Sequence, residues 1–76
     1  MRPSDLAAAA KTRVALRAGS ARLTRIQSGV SAAEIARAVG VSRTTVGDWE
    51  AGRKVPTAEH ALAYGKALAA LERRAA

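Results

Sequence analysis

Cysteine is missing from the chain, which rules out disulfide staples and a thiolate zinc site. A single histidine, His60, leaves an imidazole-rich metal site without ligands, and no cofactor is expected. Acidic residues are few: six Asp and Glu stand against thirteen Lys and Arg, a formal net charge of +7. No apolar run approaches the roughly 18 residues that span a bilayer. The N-terminal stretch has one early arginine and an alanine run where a signal peptide carries a Leu-rich core. A cytoplasmic protein without a membrane partner is therefore expected. Strand signals are lacking too, because Val and Ile recur by threes and fours and not by twos.

What remains is a basic, helix-forming chain of one small domain. A domain of this size buries only about 60% of its unfolded surface, so its core must be thin. Hydrophobic residues make up 49% of the sequence and recur with helical spacing, which argues against disorder. Ten of the thirteen cations are arginine, the side chain that best matches phosphate oxygens and guanine edges. Charge of this kind attracts any polyanion, whether nucleic acid, anionic membrane or acidic protein, and does not choose among them.

Caps and breakers divide the chain into an all-α arrangement of four main helices. The first begins at Ser4 as its expected cap, with Asp5 in the first turn and the strong helix formers Ala7 to Ala10 behind it. At Gly19-Ser20 it either ends and restarts or runs on to Ser28. The shared face of Leu16, Leu23 and Ile26 favours one long helix bent near Gly19. Gly29 closes it. Ser31-Ala32-Ala33-Glu34 then fits a capping box for a helix over about 32–39, with Ile35, Ala36 and Val39 on one side. Gly40 stops that helix, where a side chain is expected to clash as the chain reverses. Ser42 caps the next, over about 43–51, with Val46 and Trp49 on its inner face and Gly52 after it. Val55-Pro56 is an extended link, and Thr57 caps a last helix to about Arg74 with an apolar stripe of Ala61, Leu62, Leu68 and Leu71. Residues 1–19 are expected to form a helical extension, and residues 20–76 the remainder of a single compact domain.

A helix of about eight residues, the turn Gly40-Val41-Ser42 and a second short helix make a helix-turn-helix unit. The small Ala36 lets the two helices approach, and Val41 can drop into the crevice between them. The run from Arg25 to Pro56 resembles the Cro/repressor (XRE-like) type of helix-turn-helix proteins, which include phage repressors and many bacterial regulators. The resemblance rests on Arg25-Ile26-Gln27 before Gly29, on Ser31-Ala32-Ala33-Glu34-Ile35-Ala36, on Val39-Gly40-Val41-Ser42 and on Thr45-Val46-Gly47-Asp48-Trp49-Glu50-Ala51-Gly52, with Pro56-Thr57 leading into the last helix. It covers about half of the chain. Three departures stand out. Ala32 occupies a position where the family often has a phosphate-binding glutamine. The last helix continues through Ala69-Ala70-Leu71 without the Gly break that often precedes a fifth helix. The segment from Met1 to Gly19 lies outside the resemblance and either carries Arg13 and Arg17 toward DNA or builds a dimer.

The resemblance implies sequence-specific binding of double-stranded DNA by the helix that Ser42 caps, and the role of a transcription regulator, a small phage-type repressor or Cro-like protein. Arg43, Thr44 and Asp48 fall at the positions that meet base edges. Arg43 suits guanine O6 and N7, Thr44 a thymine methyl or base edge, and Asp48 either cytosine N4 or a neighbouring side chain. Ser31, Ser42, Thr45, Arg53 and Lys54 fall where phosphates are held. Arg25 and Glu50 are implied to pair as a structural tie, and Trp49 and Val46 are read as core. Tyr64 is read as packing with its hydroxyl at the surface, and His60 as a surface residue.

Catalysis is not expected. The Ser and Asp residues already have capping roles, no nucleophile elbow is present, and a thin helical core offers no deep pocket. A protein-interaction module, such as the antitoxin of a toxin–antitoxin pair, is the alternative, favoured by the alanine-rich first segment. A weaker alternative, a membrane-surface role for the basic helices, requires binding to anionic vesicles. Two surfaces are available for a homodimer, the first segment and the Leu68–Leu71 end of the last helix. Neither carries a heptad seam, so pairing in solution, pairing only on DNA and a monomer all stay open.

Overall fold

Proline, not serine, opens the first helix. A computed structural model of the chain describes residues 1–75, and its helix α1 spans Pro3–Ala18. Pro3 occupies the first helical position, where its missing N–H leaves no orphan donor. The Asp5 carboxylate accepts the Arg2 N–H at 3.3 Å, so Ser4 lies inside the helix and does not cap it.

Gly19 then ends α1 outright. Its φ of +88° is a left-handed conformation that glycine adopts at no steric penalty, and its N–H donates to the Leu16 carbonyl at 3.2 Å. A separate helix, α2 (Ser20–Gln27), follows, so the described residues form five helices in place of the expected four with one bent. The shared face that favoured a single helix is not one face. Leu16 is 2% exposed, whereas Leu23 and Ile26 are 53% and 45% exposed. The residues that α2 buries are Ala21 and Arg25.

The other three helices keep close to their caps: α3 is Ala32–Val39, α4 is Arg43–Glu50 and α5 is Ala58–Ala75. Ser31 and Glu34 close a reciprocal box, with Glu34 N–H to Ser31 Oγ at 3.1 Å and Ser31 N–H to Glu34 Oε1 at 2.9 Å. Thr57 Oγ1 accepts the His60 N–H at 3.3 Å at the start of α5. Ile35 and Ala36 from α3 and Val46 and Trp49 from α4 meet Leu16, Tyr64 and Leu68 in one core. No described helix is long and apolar enough to cross a membrane.

Helix α1 lies along α5, and the approach is close. A Cβ added at Gly65 would stand 2.3 Å from Thr12 Oγ1, itself buried and donating to the Ala8 carbonyl at 3.1 Å. Thr12 is β-branched and stiff, so it does not swing aside freely. Gly65→Ala gains about 1 kcal/mol of helix propensity but loses about 1–3 kcal/mol to overpacking. A net fall in urea midpoint is expected. On a Thr12→Ala background the same substitution becomes stabilising, and an unchanged sign would remove the close-contact explanation.

Candidate nucleic-acid interface

The turn between α3 and α4 sets the second helix's angle. Gly40 has φ +88°, and the N–H groups of Gly40 and Val41 both reach the Ala36 carbonyl, at 2.8 and 3.0 Å. Nothing lies within 4 Å of where a Gly40 side chain would begin. The turn therefore needs glycine for its backbone conformation, and the clash expected from the sequence is absent.

Ser42 Oγ accepts the Thr45 N–H at 3.1 Å and lies 2.9 Å from Thr45 Oγ1, fixing the first turn of α4. Val46 at 0% and Trp49 at 4% exposure anchor the inner side of the helix. With the helix so oriented, Arg43 and Thr44 are exposed, Thr45 and Gly47 are half-buried, and Ala51 is open to solvent. Gly47 and Ala51 keep that outward face low.

Asp48 does not project freely. Its Oδ1 accepts from Arg53 Nε at 3.0 Å and its Oδ2 lies 3.8 Å from Lys54 Nζ. Its main-chain carbonyl accepts the N–H groups of both residues, at 2.9 and 3.2 Å. The Arg53 and Lys54 side chains, 67% and 72% exposed, stand outside it. The structure thus brings Asp48, Arg53 and Lys54 together beside α4. Ser31 is exposed at the far end of α3, about 12 Å along that eight-residue helix from the turn. There the N–H and hydroxyl of Ser31 hold the Glu34 carboxyl below its ordinary value.

Behind α4 sits a buried polar network. Arg25 grips Glu50 with two hydrogen bonds, Nε to Oε2 and Nη2 to Oε1, both 2.8 Å, and its Nη1 donates to the Val30 carbonyl at 2.8 Å. The two side chains are 8% and 5% exposed. Tyr64 completes the group, its hydroxyl donating to Glu50 Oε2 at 2.6 Å. That hydroxyl was expected at the surface, yet Tyr64 is fully buried. An aromatic residue pairing with a carboxylate fourteen positions away leaves no local mark in the sequence. His60 is half-buried as well, its ring centroid 5.6 Å from that of Trp49.

These contacts set the pH range of stability. Burial pushes the Glu50 carboxyl up, but hydrogen bonds from Arg25 and Tyr64, with the Arg25 charge, outweigh it and hold the group below its ordinary 4.5. Glu50 binds Arg25 in turn, raising the guanidinium's already high value. Burial, then the bond to Glu50, raises the Tyr64 hydroxyl well above 10.0. The two signs are opposite. The Glu50 contribution is complete above 4.5 and lost as pH falls through its lowered value. The Tyr64 contribution is complete below 10.0 and lost as pH rises beyond it. Urea midpoints measured across pH are expected to be flat between these limits and to decline outside both. A Tyr64→Phe chain should lose the alkaline decline.

Both acids of the α4 segment thus face the protein's own cations, Glu50 inside and Asp48 at the edge, while Arg43, Arg53 and Lys54 remain on the outside. Such a surface favours an anionic partner. Arg13, considered from sequence for DNA, is half-buried and donates through Nε to the Pro56 carbonyl at 3.1 Å, tying α1 to the link before α5. Arg17 is exposed.

Comparison with curated proteins and with solved structures returns no match. A family model described as helix-turn-helix matches residues 22–71, from α2 through most of α5 but not α1. With well over half of its length inside that match, the chain belongs to the Cro/repressor (XRE-like) family of helix-turn-helix DNA-binding regulators.

Proposed function

We propose that the protein binds duplex DNA sequence-specifically by laying α4 in the major groove, and that it acts as a small repressor of the phage or Cro-like kind. The carrying observation is the orientation of α4: Val46 and Trp49 are buried while Arg43 and Thr44, at its N-terminal end, are exposed. Arg43 donates to guanine O6 and N7, and Thr44 meets a thymine methyl or base edge. Ser31, Ser42 and Thr45 lie at helix starts and hold phosphates together with backbone N–H groups, and Arg53 and Lys54 grip the backbone beside them. Residues 1–19 serve as an extension folded onto the DNA-binding unit of 20–76, a reading supported by α1 lying along α5 and by the Arg13–Pro56 bond. No catalytic role is assigned, since the Ser31, Ser42 and Thr57 hydroxyls are occupied as caps.

Selection of duplexes from a random pool tests this reading. An enriched motif is expected, with log affinity falling by about 0.9 per phosphate contacted for each unit of log salt. Half-sites about 34 Å apart would mark a dimer and a single asymmetric motif a monomer. No enrichment and no salt dependence would reject DNA binding.

Gly47 gives a second check. A methyl group there meets no protein atom within 4 Å, so Gly47→Ala is expected to raise stability by about 1 kcal/mol. The same methyl stands on the side proposed to face DNA, so affinity for the selected duplex should fall while the melting temperature rises. Unchanged affinity would move the contact away from this face.

One observation favours the antitoxin-like alternative: Leu6, Ala10 and Val14 stand exposed four residues apart on α1. A stable complex with a co-encoded small protein, together with no enriched duplex, would decide for it.

A further inference from the structure

We propose that Asp48 is a positioning residue: it presents Arg53 and Lys54 to backbone phosphates and, by offsetting part of their charge, restrains binding to DNA of arbitrary sequence. The inference rests on the DNA-binding reading above. It starts from how completely this one residue organises the segment after α4. The Asp48 carbonyl takes both loop amides, Oδ1 takes Arg53 Nε, and Oδ2 faces Lys54 Nζ. Arg53 is held through Nε, so its two terminal nitrogens remain to fork onto a phosphate. The carboxylate is 17% exposed and the cations 67% and 72%, which puts the negative charge behind the positive ones.

Two other roles fit less well. Reading a cytosine amino group requires the carboxylate to turn outward and give up both cations. A purely stabilising role is small, because ion pairs with such exposed partners contribute little. What the charge does change is the attraction of the loop for any phosphate. Every duplex meets two cations already partly neutralised, so the phosphate grip is restrained for all sequences alike and firm binding depends on the contacts of Arg43 and Thr44. The restraint acts on the strength of the electrostatic grip and adds no base contact.

The test compares the full-length wild-type chain, Asp48→Asn, Arg53→Gln/Lys54→Gln, and the three substitutions combined. Each is titrated with the selected duplex and with a random-sequence duplex. Asn keeps the size of the side chain and one acceptor oxygen, and thermal melts verify that every variant folds. Asp48→Asn is expected to raise random-duplex affinity about five-fold, the factor one unit charge at contact distance is worth in water. Affinity for the selected duplex should rise by a similar factor, and a repeated selection should return the motif with every position intact. In the double-Gln background the effect of Asp48→Asn should shrink to under about two-fold. In the free protein, exchange of the Arg53 Nε–H should quicken in Asp48→Asn. Loss of preference at a single base position, or an undiminished effect in the double-Gln background, would overturn the inference and leave DNA binding standing. A wild-type chain that binds no duplex at low salt would overturn both.

Discussion

Glu50→Ala is expected to destabilise the fold by about 3–5 kcal/mol, because it strands a buried guanidinium without its counter-charge. The loss is severe for a chain of this length, whose whole stability is on the order of 0.05–0.15 kcal/mol per residue. Arg25 is 8% exposed on its side chain and places its Nε and Nη2 donors on Glu50, its one ion-pair partner among the described residues. Tyr64 also loses the acceptor of its 2.6 Å hydrogen bond. Tyr64→Phe should cost less, about 1.5–3 kcal/mol, since it removes one hydrogen bond to a charged group and leaves the ion pair in place. Arg25→Ala/Glu50→Ala should be clearly milder than the sum of its single changes, as no lone charge stays buried. Additive losses in chemical unfolding would show that the two residues act separately.

The second large effect concerns binding. Arg43→Ala is expected to lose about 1–3 kcal/mol of discrimination at one base pair of the selected site and little at the others. Lys54→Ala, by contrast, should weaken selected and random duplexes alike and lower the salt slope by about one. The difference follows from position. Arg43 is the exposed first residue of α4, whereas Lys54 lies in the loop after Gly52, with its ammonium 3.8 Å from Asp48. Parallel losses at every position for both variants would erase the distinction between reading and gripping.

The stops and caps of this fold are legible in the sequence because they are local. The Ser31–Glu34 box, the Ser42 and Thr57 caps and the glycine ends at 40 and 52 each depend on residues within one turn of helix. The break at Gly19 is less legible. The alanine-rich α1 carries almost no apolar signal, and Leu23 and Ile26 imitate a continued face while staying exposed. Contacts that cross the molecule are not legible at all. Gly65 against Thr12, Arg13 on the Pro56 carbonyl and the Tyr64 hydroxyl on Glu50 each join separate elements. The role of Asp48 lies between these cases. Arg53 and Lys54 follow it by five and six residues, close enough to consider, but only the chain reversal at Gly52 shows that they return to it.

The most direct test of the account follows backbone amide resonances while the selected duplex is titrated into the protein. The largest shifts should fall at residues 42–48 and 52–54, with a smaller change at Ser31 and little on the exposed side of α1. Shifts concentrated on α1 or the end of α5, with Arg43 and Thr44 undisturbed at saturation, would contradict the assignment of α4 as the helix that meets DNA.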